Sequence, residues 1–218
     1  EKGAKVAAPK NDVLTIPIIL ARENRDKPLP LSLLDLPPAD DGIAGAQLGL
    51  KDNNTTGRFV NQEFILDVIE DTDPDKLIKD VLAKVDGGAH FVMADVGPGT
   101  LVKLADAVAG KEVLIINYGA PDDALRQENC RPNVMHTGPT RAMLADALAQ
   151  YLIWKKWRRW FLVLGPNEDD KLFGEALRRA AKRFGAKIVE ERVLTCQTGN
   201  RRADGGFEQV QQQIPTFT

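Results

Sequence analysis

The hydrophobic positions of this chain form short buried runs that alternate with longer amphipathic stretches. Runs rich in β-branched residues predict strands at residues 13–20, 63–70, 90–96, 112–118, 160–164 and 187–194. Apolar residues at helical spacing predict helices at residues 40–53, 74–86, 98–109, 139–157, 169–184 and 207–213. Alternation of strands and helices at these lengths is typical of parallel sheets covered by helices on both faces. The predicted fold class is therefore α/β.

Three local features refine these elements. Pro17 lacks a backbone N–H, which predicts a strand end or a bulge inside the first strand. The polar segment Asn54–Gly57 predicts the end of the first helix. In the helix at 139–157 we expect the large apolar side chains to be buried. They are Met143, Leu144, Leu148, Tyr151 and Trp154, together with the smaller Ala147.

A polar, irregular stretch at residues 119–138 separates two series of strands and helices. It predicts two α/β lobes, at residues 12–125 and 139–218, joined by a linker and hinge at 126–138. The second lobe has only two predicted strands, and such a small parallel lobe has exposed edges and a thin core. We therefore expect this lobe to be incomplete, as in a truncated chain or in one that another chain completes.

The turn after the third predicted strand carries candidate donors for a ligand. Parallel sheets bind ligands at the carboxyl ends of their strands. At this position Gly97, Gly99 and Thr100 open a helix whose first N–H groups attract a carboxylate or a phosphate. An ordinary tight turn would have the same sequence, so both interpretations stay open.

The turn after the fourth predicted strand offers a different set of groups. Asn117 supplies an amide, Tyr118 an aromatic ring and Ala120 a backbone N–H. Four arginines flank the same edge and suit bidentate pairing with acidic groups: Arg22, Arg25, Arg126 and Arg141. Each arginine taken alone is more often a solvated surface charge.

Composition excludes several classes of protein. The net charge of the 218 residues is −2, and no basic stripe is evident, which argues against nucleic-acid binding. No apolar run approaches the roughly 20 residues that cross a bilayer. The polar N-terminal residues lack the apolar region of a signal peptide, which is typical of a mature secreted form or of a cytoplasmic protein.

Enzyme chemistry finds little support in the sequence. Ser32 is the only serine and lies in a Pro-rich segment rather than in a strand-to-helix elbow. His90 and His136 have no second ligand at metal spacing, so no metal site is predicted. Phosphate-binding and dinucleotide-binding glycine motifs are also absent. This pattern favours a binding protein over an enzyme.

The two cysteines, Cys130 and Cys196, allow two interpretations. They are two unrelated thiols, or they form one disulfide between the linker and the second lobe in an oxidising compartment. Sequence alone gives neither their distance nor their geometry.

Three segments together carry a resemblance to a known family. They are the GPGT turn at 97–100, the NYGAP turn at 117–121 and CRPNVMHTGPTRAMLADALAQYL at 130–152. Over about residues 12–194 the chain resembles a type I periplasmic solute-binding protein, the branched-chain amino-acid receptor class of ABC importers. The third segment is similar to a subfamily associated with alcohol dehydrogenase systems that depend on pyrroloquinoline quinone (PQQ).

The resemblance implies a periplasmic protein that binds a small anionic solute between two lobes and delivers it to an ABC permease. PQQ is implied as a ligand, no cofactor is required, and the protein does not insert into the membrane. An amino acid is the alternative ligand, and a ligand-sensing regulatory module with the same fold is the alternative function. Threonine or glycine stands where the amino-acid receptors have a serine, whereas arginines at the cleft edge suit a polyacid.

The resemblance also implies which residues contact the ligand. The implied ligand-binding residues are Arg22, Gly97, Gly99, Thr100, Asn117, Tyr118, Ala120, Asn167, Asp169 and Asp170. Of these, Asp169 or Asp170 would bind an ammonium group if the ligand has one. Arg126, Thr140 and Arg141 are implied at the hinge and cleft edge.

Overall fold

A computed structural model describes residues 13–25 and 38–194. Within these residues strands and helices alternate, and the predicted α/β fold with parallel sheets is confirmed. The elements are β1 (Leu14–Glu23), α1 (Ile43–Val60), β2 (Gln62–Asp71), α2 (Pro74–Asp86), β3 (Phe91–Asp95), α3 (Pro98–Ala107), β4 (Leu114–Asn117), β5 (Val134–His136), α4 (Arg141–Trp154), β6 (Arg159–Leu164), α5 (Glu168–Phe184) and β7 (Lys187–Val193). The helix predicted at 207–213 lies outside the described residues.

The strands form a five-stranded sheet in the order β2-β1-β3-β4-β5 and a two-stranded sheet of β6 and β7. β1 is parallel to β2 and β3, β3 is parallel to β4, and β6 is parallel to β7. The described chain divides into two compact units. Unit 1 contains residues 13–24, 38–118 and 132–135, and unit 2 contains residues 25, 119–131 and 136–194. The predicted lobe and hinge boundaries stay a prediction.

The core of unit 1 lies on one face of the five-stranded sheet. Alternate residues of β1 and β3, including Ile19 and Val92, are fully buried on that face. Helix α2 presents Leu77 and Val81 at helical spacing, and α3 adds its own buried leucines. Right-handed crossovers place α2 and α3 on this face and α1 on the other.

Pro17 neither ends β1 nor introduces a bulge, so that prediction is wrong. It lies within a continuous register, opposite Ile65 of β2. On the other side of β1, pairing with β3 begins one residue later, at Ile18 and Phe91. Pro17 therefore sits where one side of the strand has no partner among the described strands, and its missing N–H costs no ladder bond there.

Helix α1 continues through the polar segment that was predicted to end it. The side chain of Asn54 bonds both backbone groups of Phe64, at 2.8 Å to the N–H and 2.9 Å to the carbonyl. Gly57 is buried against the start of β2, where an added Cβ would lie 2.4 Å from the carbonyl oxygen of Gln62. These residues are thus a contact surface for β2, and the helix ends instead at Asn61, in the left-handed conformation.

The stretch at 119–138 is more ordered than the predicted irregular linker. Residues Asp123–Arg126 form a turn of 3₁₀ helix. The strand β5 joins the edge of the five-stranded sheet, with the N–H of Ile115 donating to the carbonyl of Asn133 at 2.9 Å. Three-residue strands leave too short a pattern to be read from sequence.

Helix α4 buries the opposite side from the one predicted. Its small residues Ala145 and Ala149 are fully buried against Ala176 and Ala180 of α5. Small residues let two helices pack closely, and this contact takes the place of a large apolar seam. The large side chains predicted to be buried are 44–71% exposed: Met143, Leu144, Leu148, Tyr151 and Trp154.

Candidate functional site

The carboxyl ends of the unit 1 strands bring charged residues into one row. In the sheet register Arg22 of β1 lies between Glu70 of β2 and Asp95 of β3. Because side chains alternate along a strand, all three point to the face that carries α1. This row is the first group of chemically useful residues at the edge where parallel sheets bind ligands.

Arg22 is built into unit 1 rather than exposed at its edge. Its side chain is 9% exposed, and Nη1 donates to Glu70 Oε1 at 3.2 Å and to the carbonyl of Ala39 at 3.0 Å. The arginine thus ties β1 to β2 and to the segment that leads into α1. A guanidinium has five donors, so these two bonds do not exhaust its capacity to bind an anion.

Tyr118 extends the same row beyond β4. Its N–H donates to the carbonyl of Ala94 at 3.2 Å, and its ring lies against Gly42. Burial, reinforced by the charge of Asp95, raises the pKa of the phenol to about 12. The hydroxyl is therefore protonated at neutral pH and available as a donor. Its neighbour Asn117 is almost completely buried at the end of β4.

The first turn of α3 lies at the same end of the sheet. Pro98 occupies the first helical turn, and the N–H of Leu101 makes an early intrahelical bond to the carbonyl of Gly97 at 2.9 Å. The N–H groups of Gly99 and Thr100 belong to the set that a helix leaves without intrahelical partners. Such N–H groups attract carboxylates, and a ligand role for these two residues stays a prediction.

Glu23 changes the electrostatics of this turn, and sequence reasoning missed it. Its Oε2 accepts the N–H of Gly97 at 2.7 Å. A protein carboxylate therefore already uses one of the predicted donors. The sequence could have indicated Glu23 as a site residue, because it immediately follows the buried run of β1 at the end of a strand.

Acidic residues lie at the carboxyl edge of unit 1 on both sides of Arg22. Glu23, Glu70 and Asp95 lie at the ends of three strands. The charge of Asp41 also acts on Tyr118 in the direction of Asp95, whereas that of Arg22 opposes them. A ligand bound here by a carboxylate would meet several negative charges, and a cationic group on the same ligand would be stabilised by them.

In unit 2 Arg141 is the centre of a second charged group. Its side chain is 10% exposed, and its two terminal nitrogens contact Asp122 Oδ1 at 2.9 Å and Asp169 Oδ1 at 2.7 Å. Its backbone N–H donates to the carbonyl of Pro121 at 3.0 Å. Arg141 therefore holds residues 121–122 and the start of α5 to the first turn of α4. Asp122 is a second residue that sequence reasoning missed.

The predicted residues at the start of α5 have distinct local roles. Asp170 Oδ2 accepts the N–H of Asn167 at 3.2 Å and caps the helix. An added Cβ on Gly165 would lie 2.2 Å from the same oxygen, so this carboxylate packs tightly against the preceding turn. Asp169 is 83% exposed and pairs with Arg141. Of the two acidic residues, Asp169 is the one accessible to a ligand.

The remaining predicted residues of unit 2 stabilise the approach to α4. Thr140 caps the helix by accepting the N–H of Met143 at 3.2 Å. Arg126 donates from Nη2 to the carbonyl of Gly138 at 2.5 Å. Ala120 is buried. These contacts describe local structure, and a hinge or ligand role for these residues stays a prediction.

Three other features concern the cysteines, metal binding and membrane-spanning helices. Cys130 is exposed, and Cys196 lies outside the described residues, so the disulfide stays a prediction. Within residues 13–25 and 38–194, no group of three or more His, Cys, Asp or Glu side chains could hold a metal ion. No helix in that part of the chain combines the length and apolar character needed to span a bilayer.

Comparison with solved proteins shows where the fold recurs. A substrate-binding protein of an ABC transporter from Desulfitobacterium hafniense, in complex with Leu, is 16% identical with a TM-score of 0.65, over 94% of this chain and 56% of that one. A branched-chain amino-acid ABC transporter periplasmic ligand-binding protein from Burkholderia xenovorans is 18% identical with a TM-score of 0.66, over 90% and 51%. A Leu-, Ile-, Val-, Thr- and Ala-binding protein from Brucella ovis, in a closed conformation, is 19% identical with a TM-score of 0.61, over 85% and 48%.

These similarities establish the type I periplasmic-binding-protein fold, and the chain spans about half the length of the solved proteins. No curated protein sequence matches the chain. The matches named here do not show the PQQ-associated subfamily. A family model described as periplasmic binding protein matches residues 37–203, more than half of the chain. The chain therefore belongs to the periplasmic binding protein family.

Proposed function

We propose that this chain is the solute-binding component of an ABC importer and works in the periplasm with a membrane permease. Its family membership supports a binding role without turnover. The observation that carries the proposal is the first turn of α3, where Gly99 and Thr100 offer backbone N–H groups at the carboxyl end of a parallel sheet. No cofactor takes part in this role.

The proposed ligand is a small organic solute with a carboxylate, held at the first turn of α3. Tyr118 and Asn117 would line the same edge of unit 1. The acidic groups around the turn, Glu23 in particular, favour a ligand that also carries an ammonium group. An amino acid fits this requirement better than PQQ, whose several carboxylates would meet like charges.

Titration of the protein with leucine and with PQQ, followed by tryptophan fluorescence and melting temperature, tests the proposal. We expect leucine to raise the melting temperature, since a ligand that binds the folded state stabilises it. A variant pair isolates the α3 turn: Gly99→Asp places a carboxylate beside the proposed anion site, and Gly99→Asn adds a neutral side chain of the same size. Gly99 has open space around it, so neither change creates a clash.

The aspartate variant should bind a carboxylate ligand about tenfold more weakly than the asparagine variant, which corresponds to about 1.4 kcal/mol. A Glu23→Gln variant sorts the ligand classes, because it should weaken an amino acid and strengthen a polyanion. The proposal fails if neither ligand alters fluorescence or melting. Equal affinities for the two Gly99 variants would remove the α3 turn from the site.

A further inference from the structure

A cavity of about 490 Å³ lies in unit 1 between α1 and the sheet, on the face opposite α2 and α3. Four apolar side chains of the strands form its floor: Ile18, Phe64, Leu66 and Met93. The space opens to solvent beside α1, so it is a surface pocket rather than a closed interior void. A space of this size is typical of a small-molecule site rather than of ordinary packing.

The sequence of α1 explains why the helix leaves this space empty. The residues of α1 and its N-cap that line the cavity recur at helical spacing, and most are small: Gly42, Gly45, Ala46, Gly49, Leu50 and Asn53. An added Cβ on Gly45 or Gly49 would meet nothing within 4 Å. Both glycines are exposed to solvent, so the cavity has an entrance beside them.

Two polar side chains line this apolar space, those of Asn53 and Tyr118, and the amide of Asn53 already donates to the carbonyl of Gly49 at 2.8 Å. The hydroxyl oxygen of Tyr118 is buried and has no hydrogen-bond partner among the described residues. It would lie 3.2 Å from a Cβ on Gly42, at the end of the cavity where α1 begins. Buried tyrosine hydroxyls usually find a partner, and leaving one unpaired is costly. A water ordered at the hydroxyl would find few other polar partners in this space, and a bound water needs two to four of them.

The charges near the hydroxyl restrict the partner further. Burial is the main cause of the raised pKa that holds the phenol in its protonated form; the carboxylates of Asp95 and Asp41 act in the same direction, and the charge of Arg22 opposes them. The two carboxylates disfavour an anionic acceptor beside the hydroxyl. A neutral acceptor, such as a carbonyl or ether oxygen, avoids this repulsion and accepts the hydrogen bond.

We propose that the cavity beneath α1 is a binding site for a neutral, largely apolar small molecule with one hydrogen-bond acceptor, which Tyr118 binds through its hydroxyl. This site is separate from the proposed carboxylate site at the first turn of α3 and shares only Tyr118 with the edge described above. It does not depend on the transport function, so each proposal is tested by itself.

The test uses 6-propionyl-2-(dimethylamino)naphthalene, a neutral aromatic ketone whose fluorescence increases and shifts to the blue in apolar surroundings. We expect saturable binding to the protein. The double variant Gly45→Leu/Gly49→Leu places two large side chains in the cavity and should weaken binding at least tenfold. The control Lys51→Leu adds an equally apolar side chain to an exposed position of α1 that does not line the cavity, and it should bind within twofold of the parent.

Two further measurements test whether the filled variant is folded and whether Tyr118 binds the ketone. The melting temperature of the double variant should equal or exceed that of the parent, because leucine favours a helix more than glycine does. If that variant does not fold, Ala46→Leu fills the same space from one position. Tyr118→Phe should weaken the ketone about fivefold, the effect of one hydrogen bond.

Three results would overturn the proposal. One is the absence of saturable binding to the parent. Another is equal affinity for the parent and the filled variants, which would place the probe on the surface. The third is binding that appears only as the protein forms dimers in sedimentation, which would make the α1 face a contact between two copies.

Discussion

The two faces of the five-stranded sheet in unit 1 are filled to different degrees. Ile19 and Val92 are fully buried on the face that α2 and α3 cover. Their strand neighbours Ile18 and Met93 are half-buried and line the cavity beneath α1. The difference lies in the helices rather than in the strands, because both faces carry large apolar side chains. A helix whose inner side consists mostly of small residues holds its position over the sheet without filling the space below.

The comparison predicts that a leucine-to-alanine substitution lowers the free energy of unfolding by different amounts on the two faces of the sheet. Leu77→Ala removes a side chain of α2 that is 1% exposed, and it should lower the free energy of unfolding by about 2–5 kcal/mol. Leu50→Ala on α1 removes a half-buried side chain beside an existing cavity and should cost about 1 kcal/mol or less. Urea denaturation of both variants measures the difference. Equal losses would show that the α1 face is as well packed as the other.

Two glycines of α1 sharpen the comparison within one helix. Gly57→Ala forces a methyl group against the backbone of Gln62 and should cost about 1–3 kcal/mol. Gly49→Ala adds a methyl group in open space and should stabilise the protein by about 0.5–1 kcal/mol. The opposite signs follow because only the end of α1 contacts β2 closely. Thermal unfolding of the two variants measures both changes in stability. Two changes of the same sign would contradict the prediction.

The order of elements was predictable from the sequence because each has a strong local pattern. Helix α2, with Pro74 at its start and leucine and valine at helical spacing, was predicted with the observed bounds. Helix α4 shows the limit of such patterns. Its apolar residues surround the helix, so periodicity could not reveal that Ala145 and Ala149, rather than Leu144 and Leu148, meet α5.

For the candidate site, the sequence predicted the positions of residues but not their contacts. Strand-end positions correctly placed Arg22, Tyr118 and the α3 turn at one end of a sheet. Sequence could not show that Arg22 pairs with Glu70 or that Glu23 accepts a bond from Gly97. Those contacts join residues 48 and 74 positions apart and depend on the register of the strands.

Burial raises the pKa of the Tyr118 phenol from 10.0 to about 12. The native state therefore keeps its proton while the unfolded state loses it, and this contribution to stability is present below pH 10 and declines as the pH rises toward 12. The chain has two tyrosines, so Tyr151→Phe leaves tyrosinate absorbance to report on Tyr118 alone. We expect ionisation near pH 12 in the folded protein, and no corresponding decline in a Tyr118→Phe variant. A phenol that ionises near pH 10 would mean that water fills the space beneath α1 and solvates the hydroxyl, which would make the two faces of the sheet differ in hydration as well as in packing.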